Sequence, residues 1–305
     1  MAMGITRRGA LRGAVGAMVA VGTAGIGTAA ASGRLERIKI PTRAGVFDAV
    51  AAGPERGRKV LLLHGFPEFG IEWEAQLRAL AGAGYRAVAP DQRGYSRGVR
   101  PAGIEHYQLD HQVRDVRGIA DSLGWGRFDL VGHDWGAAVA WVAAARHGGR
   151  VRSLTAVSVP HLGAFEKALR EDPEQQKRSA YMAGFREPTP IPENKLLAKP
   201  LVIPGVPEAH LNEYNARLRE PGALTAALDW YRANDFTGYP DRVAVPTLFL
   251  ASEDPAVAPS GIEDTKNWVT GPYRLEKLAS GGHFLPEVAA PAVSELLITH
   301  LRGVR

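Results

Sequence analysis

The 305-residue chain predicts an α/β fold: a mostly parallel, doubly wound sheet carrying a helical insertion after its sixth strand. Three observations support this. Short β-branched runs alternate with longer helical patterns from Arg34 onward, the rhythm of a parallel sheet covered by helices. One run, Val60-Leu61-Leu62-Leu63, is continuously apolar, as a strand buried on both faces must be. The alternation stops at His161 and resumes at Pro246.

In order, Arg37 to Ile40 and Val46 to Val50 alternate like the two arms of a hairpin. After Val60–Leu63, a helix is expected from Trp73 to Ala81 and a strand from Arg86 to Ala89. Leu109, Val113, Val116, Ile119 and Leu123 recur at three- and four-residue steps, which puts one apolar stripe on a helix. Strand Phe128 to Val131, helix Ala137 to Arg146 and strand Leu154 to Val159 follow. From His161 to Arg232 the chain is polar and rich in proline (Pro188, Pro190, Pro192, Pro200, Pro204, Pro207), with helical patches and no buried strand, so it reads as a cap. Strands Pro246 to Leu250 and Tyr273 to Glu276 and an amphipathic helix Val288 to Leu301 close the chain. The organisation expected is a leader at 1–31, core at 32–160, cap at 161–232 and core again at 233–305.

Composition narrows the chemistry. A hydrophobic share of 45% and a charged share of 23% are those of a globular protein. The formal charge is +5, three of it from Arg7, Arg8 and Arg12, so the remainder carries +2 with no long Lys/Arg run. Nucleic acid and membrane surfaces are therefore poor partners. With no cysteine, disulfides, thiol nucleophiles and thiolate metal sites are excluded. The nine histidines contain no His-Glu-x-x-His pair, and neither a catalytic metal nor a cofactor is expected. The twin Arg7-Arg8 precedes a mildly apolar Gly/Ala-rich stretch ending at Ala29-Ala30-Ala31. That segment resembles a twin-arginine export signal, and predicts an exported protein with no stable membrane span.

The strongest chemical signal is Gly132-His133-Asp134-Trp135-Gly136, a Gly-x-nucleophile-x-Gly turn between a strand and a helix. Its central residue is Asp. A carboxylate is ionised at neutral pH and can displace a leaving group from saturated carbon, giving an alkyl-enzyme ester. Hydrolysing that ester needs a water, a histidine to deprotonate it, an acid to orient the histidine and N–H donors for the oxyanion. His283, in Ser280-Gly281-Gly282-His283, follows the last strand as the candidate base. Asp254 follows strand Pro246 to Leu250 as the candidate acid, with Glu253 the neighbouring alternative. His64-Gly65-Phe66-Pro67 follows the buried strand, and the N–H groups of Phe66 and Trp135 are the candidate oxyanion donors, since Pro67 has no N–H. His64, Pro67 and Trp230 are expected on the substrate pocket.

With His64-Gly65-Phe66-Pro67-Glu68, Asp91-Gln92-Arg93-Gly94-Tyr95-Ser96 and Gly132-His133-Asp134-Trp135-Gly136 together, the chain after its leader resembles the α/β-hydrolase superfamily and, within it, the epoxide hydrolases. The resemblance implies a cis bond at Phe66-Pro67. It also implies two cap tyrosines that protonate the opened epoxide oxygen; the segments around Tyr181 and Tyr231 are similar to those that bear them. A phenol of pKa about 10 suits that proton transfer. The implied partners are an organic epoxide and water, with homodimerisation left open. Ala251 and Phe284 depart from the family's usual Gly and Trp. A haloalkane dehalogenase shares the Asp nucleophile but needs side-chain halide donors beside the oxyanion turn, where Phe66 has none. A non-catalytic binding protein would be expected to have lost the triad.

Overall fold

The computed structural model describes residues 33–304; the expected export segment at 1–31 lies outside them. The elements begin with strands β1 (Glu36–Thr42), β2 (Gly45–Ala52) and β3 (Lys59–Leu63), then helix α1 (Glu74–Gly82) and β4 (Arg86–Pro90). Helix α2 (Leu109–Ser122), β5 (Phe128–His133), α3 (Trp135–Arg146) and β6 (Val151–Val157) complete the first half. Helices α4 (Leu162–Glu171), α5 (Pro173–Arg178), α6 (Tyr181–Phe185), α7 (Ile191–Leu197), α8 (Glu208–Leu218) and α9 (Ala223–Ala233) follow. Then come β7 (Thr247–Ala251), α10 (Pro259–Asp264), β8 (Tyr273–Lys277), α11 (Leu285–Val288) and α12 (Ala290–Gly303).

The eight strands form one sheet in the order β1-β2-β4-β3-β5-β6-β7-β8. β1 and β2 are an antiparallel hairpin, β2 meets β4 antiparallel, and every pairing from β4 to β8 is parallel. β3 and β5, at the centre, are buried along nearly their whole length, so both faces need helical cover. Helix α1 packs with α12, and α2 with α3. Ten of the twelve residues of α3 are buried, and it is built from Ala, Val and Trp because it touches apolar neighbours all round.

Local departures from the sequence reading have local causes. The helix expected from Trp73 starts at Glu74, after a 3₁₀ turn at Gly70–Trp73. The closing helix breaks at Ala289, because Pro291 lacks an N–H and its ring collides with the preceding turn. β6 runs three residues earlier than the Leu154 start and ends at Val157, where Ser158 turns to φ 67°. Among the described residues, no helix is long and apolar enough to cross a membrane.

Candidate active site

β5 delivers Asp134 and α3 begins at the next residue. Asp134 has φ 50° and ψ −119°, a conformation that a residue with a Cβ adopts only when its surroundings impose it. The surroundings are tight. A Cβ on Gly132 would lie 2.2 Å from the Gly136 carbonyl oxygen, and one on Gly136 would lie 2.1 Å from that of Leu63. The N–H groups of Ala137 and Ala138 bond the Asp134 carbonyl at 3.0 and 3.1 Å. The carboxylate is thereby held at the C-terminal edge of the sheet and the head of α3, where the helix dipole favours negative charge.

His283 reaches the same point from the loop after β8. Its Nδ1 lies 2.6 Å from Asp254 Oδ2 and its Nε2 3.2 Å from Asp134 Oδ2. Asp254 is buried and accepts the Ala256 N–H at 2.7 Å, whereas Glu253 points to solvent. The register of β7 thus brings Asp254, and not its neighbour, to the histidine. Burial opposes charge on the His283 ring, but the adjacent Asp254 and Asp134 carboxylates outweigh it and raise its pKa well above 6.5. Burial likewise opposes ionisation of Asp134, and the His283 contact overcomes it, holding the carboxyl below its ordinary 3.8. The imidazole stands between two carboxyl groups that both favour its protonated form.

The turn after β3 lies across from the nucleophile. Phe66 N–H donates to Asp134 Oδ1 at 2.8 Å, and Phe66-Pro67 is cis. The Trp135 N–H opens α3, in the first turn, where backbone donors have no intrahelical acceptor. Phe66 N–H thus holds Asp134 Oδ1, while Oδ2 faces the imidazole.

His64 and Trp230 lie outside the pocket, which corrects the sequence reading. His64 is fully buried beneath the turn: its Nε2 accepts the Gln92 N–H at 2.9 Å, so Nδ1 carries the proton and donates to Gly65 O at 2.8 Å. Burial lowers its pKa to about 3, and it works as a neutral brace. Trp230 is 1% exposed and donates through Nε1 to Arg93 O at 3.0 Å. It backs Trp135 edge-on at 5.6 Å instead of meeting the cavity. Pro67 borders a separate cleft with Leu196, Leu197 and Leu224. The Asp91–Ser96 stretch is structural too. Arg93 makes a bidentate pair with Asp115, and Asp91 accepts from Gly70 N and pairs with Arg217 of α8.

Tyr181, on α6, and Tyr231, on α9, border the same cavity, of about 30 Å³, as Asp134, Trp135 and His283. Tyr231 is buried, its ring 5.0 Å from Trp135 and 5.5 Å from Phe66; Tyr181 is 43% exposed and 6.4 Å from Tyr231 between ring centroids. Desolvation, then the neighbouring Tyr181 and Asp134, pushes the Tyr231 phenol well above 10. Such a phenol keeps its proton until a stronger base arises beside it. The remaining wall is apolar and includes Phe165, Met182, Val257 and Phe236. The Phe236 ring stacks on Trp135 at 5.0 Å from a backbone at φ 68°. Sequence patterning offered no signal for Phe165, on α4, or Phe236, on a loop, since a lone aromatic reads the same in a core or a pocket.

Among the described residues, one set of potential metal donors occurs: Glu68, Glu72 and His133, with an atom of each within 4.8 Å of the others. All three are fully enclosed behind the oxyanion turn and none borders the cavity.

The chain is similar to known proteins in sequence and in fold. The family profile described as the alpha/beta hydrolase fold matches residues 59–290. The chain is 37% identical to the AB hydrolase superfamily protein YfhM of Bacillus subtilis, over 83% of this chain and 93% of that protein. It is 31% identical to Epoxide hydrolase A of Mycobacterium tuberculosis, over 84% of this chain and 94% of that protein. A solved structure of novel epoxide hydrolases from metagenomes of hot environments superposes with a TM-score of 0.78 at 29% identity, covering 87% of this chain and 98% of that one. A family profile covering most of the chain, full-length relatives above 30% identity and a shared architecture make this protein a member of the alpha/beta hydrolase fold family.

Proposed function

We propose that the protein is an epoxide hydrolase, adding water to an organic epoxide through an aspartyl alkyl ester to give a vicinal diol. One observation carries the reading. A carboxylate nucleophile, paired with a histidine at 3.2 Å instead of a serine, shares its cavity with two tyrosines. Relatives named as epoxide hydrolases support it.

Asp134 Oδ2, the oxygen not held by Phe66 N–H, attacks an epoxide carbon and the C–O bond breaks. The alkoxide takes a proton from Tyr181 or Tyr231, leaving an ester whose carbonyl oxygen is Oδ1. Esterification removes the Asp134 charge, so His283 loses one anionic neighbour, its pKa falls and it can act as base. Its proton passes to the tyrosinate, restoring the phenol, and the neutral imidazole then removes a proton from water as that water attacks Cγ. The oxyanion at Oδ1 is met by the N–H groups of Phe66 and Trp135. Collapse breaks the Cγ–Oδ2 bond, the departing diol oxygen takes the proton from His283, and the imidazole then takes the proton left on the new Asp134 carboxyl, restoring the carboxylate and the charged ring. Asp254 keeps the imidazole oriented.

The test is a parallel screen of styrene oxide, a haloalkane panel and simple esters, with intact-protein mass spectrometry of His283→Gln. An accumulating alkyl adduct from epoxides, absent in Asp134→Ala, is expected. Turnover confined to haloalkanes or esters refutes the substrate class, and no adduct across a broad epoxide panel refutes the mechanism. Export through the twin-arginine route belongs to the same proposal, on the Arg7-Arg8 segment. Replacing both arginines by lysine should keep the protein in the cytosolic fraction of an expressing bacterium, and unchanged export would reject that route.

A further inference from the structure

Behind the oxyanion turn lies a buried group that the triad chemistry does not use. Glu72 sits in the 3₁₀ turn before α1 and is 1% exposed. Its Oε2 accepts the Gly65 N–H at 3.1 Å, one residue before the oxyanion donor Phe66. Its Oε1 lies 3.1 Å from His133 Nδ1. His133, adjacent to the nucleophile, contacts the His283 carbonyl oxygen through Nε2 at 2.9 Å. Gly65, Glu72, His133 and His283 thus form one chain of contacts running from the oxyanion turn, past the elbow, to the loop of the candidate base.

The protons in this chain can be placed. A carbonyl oxygen only accepts, so His133 Nε2 must carry hydrogen and donate to it. A neutral ring then has a lone pair on Nδ1, and a carboxylate oxygen beside it is a second acceptor. Two acceptors do not rest 3.1 Å apart in a dry interior without a proton between them. With Glu72 ionised, neither Oε1 nor Nδ1 has a hydrogen-bond partner. One proton satisfies both. Placing it on Glu72 also avoids burying an ion pair in a dry interior. Burial pushes the two groups in the matching directions, Glu72 up and His133 down.

We propose that Glu72 is a positioning residue that acts as a neutral carboxylic acid, its hydroxyl donating to His133 Nδ1 and its carbonyl oxygen accepting from Gly65 N–H. It ties the oxyanion turn to the nucleophile elbow and, through His133, to the His283 loop. Its side chain touches no reacting atom. What it sets is the position of Phe66 N–H against Asp134 Oδ1.

A primary amide offers the same donor and acceptor, which makes the test sharp. Glu72→Gln should keep kcat within about threefold of the wild type, because the amide replaces both contacts. Glu72→Leu, which can make neither, and Glu72→Asp, which is titratable but too short to span both, should each lose roughly 10²-fold in kcat with a smaller change in KM. Should the Leu variant fail to fold, the Gln and Asp pair decides. A Gln variant as impaired as Asp, or an Asp or Leu variant of wild-type kcat, overturns the proposal. The activity arm rests on the epoxide reading; a second arm does not. In the full chain labelled with ¹⁵N-histidine, the His133 ring, assigned by its loss in His133→Gln, should show one protonated and one bare nitrogen in both wild type and Glu72→Gln. Two protonated nitrogens in the wild type would show the imidazolium and overturn the placement of the proton.

Discussion

Replacing Gly65 by alanine tests the oxyanion turn with a perturbation of one methyl group. A Cβ at Gly65 would stand 2.5 Å from Asp134 Cβ and 2.8 Å from its Oδ1, where carbon atoms normally approach no closer than about 3.5 Å. The turn must back away by about 1 Å, and Asp134 cannot yield because its elbow is locked by Gly132 and Gly136. Moving the turn that far carries Phe66 N–H from 2.8 Å to well beyond hydrogen-bond reach of Oδ1. Removing one oxyanion donor costs roughly 10²–10³ in kcat, about 2.7–4 kcal/mol of transition-state stabilisation. Because the oxyanion forms only during ester hydrolysis, that step should slow most. Single-turnover mixing with styrene oxide, quenched and read by intact mass, should show the alkyl-enzyme accumulating in Gly65→Ala even with His283 in place. A folded Gly65→Ala enzyme with kcat within a few-fold of the wild type and no adduct would refute the assignment of Phe66 N–H.

Other expectations follow from the same geometry. Tyr181→Phe and Tyr231→Phe should each slow ring opening by roughly 10²–10⁴-fold while leaving hydrolysis of preformed ester untouched; unchanged alkylation rates would make the tyrosines wall residues. Alkylation needs protonated tyrosine and ionised Asp134, whose pKa is held below 3.8, so its single-turnover rate should stay flat from neutrality into mild acid. Ester hydrolysis needs unprotonated His283 and should fail first as pH falls; coincident profiles for the two steps would contradict separate roles. His210 of the cap lies 2.6 Å from Glu287 and 3.0 Å from Glu74, which outweigh its burial and raise its pKa, with Tyr214 also bonded to Glu287. His210→Ala should lower stability by about 1–3 kcal/mol by leaving Glu287 buried without that partner. The raised pKa adds stability in full below about 6.5, lost as pH rises through the native value, so the gap in Tm from wild type should narrow at higher pH. A gap that widens on raising the pH would refute the cationic contact.

Much of the site was legible in the sequence because its parts lie on turns that follow strands, and turns have local signatures. Asp134 sits between two glycines that no other residue could replace, Asp254 follows the buried strand β7 and His283 the edge strand β8, so a sheet with parallel strands brings all three to one edge. The apolar period of α2 and the continuous apolar run of β3 likewise announced how they would be buried.

What the sequence by itself determined, then, is the strand–helix order and which residue types stand at the sheet's carboxyl edge, since both are set by short-range periodicity and by where glycine is required. Tertiary structure alone decided which of Glu253 and Asp254 meets the imidazole, because neighbouring loop residues point to opposite sides and only packing selects one. It also turned His64 and Trp230 away from the pocket to brace the backbone of Gly65, Gln92 and Arg93, and put Phe236 on the cavity wall. The pairing of Glu72 with His133 joins residues 61 positions apart, and no local pattern encodes it. Its physical cause is the demand that every polar atom in a dry interior find a partner, a condition met only once the chain has closed around it.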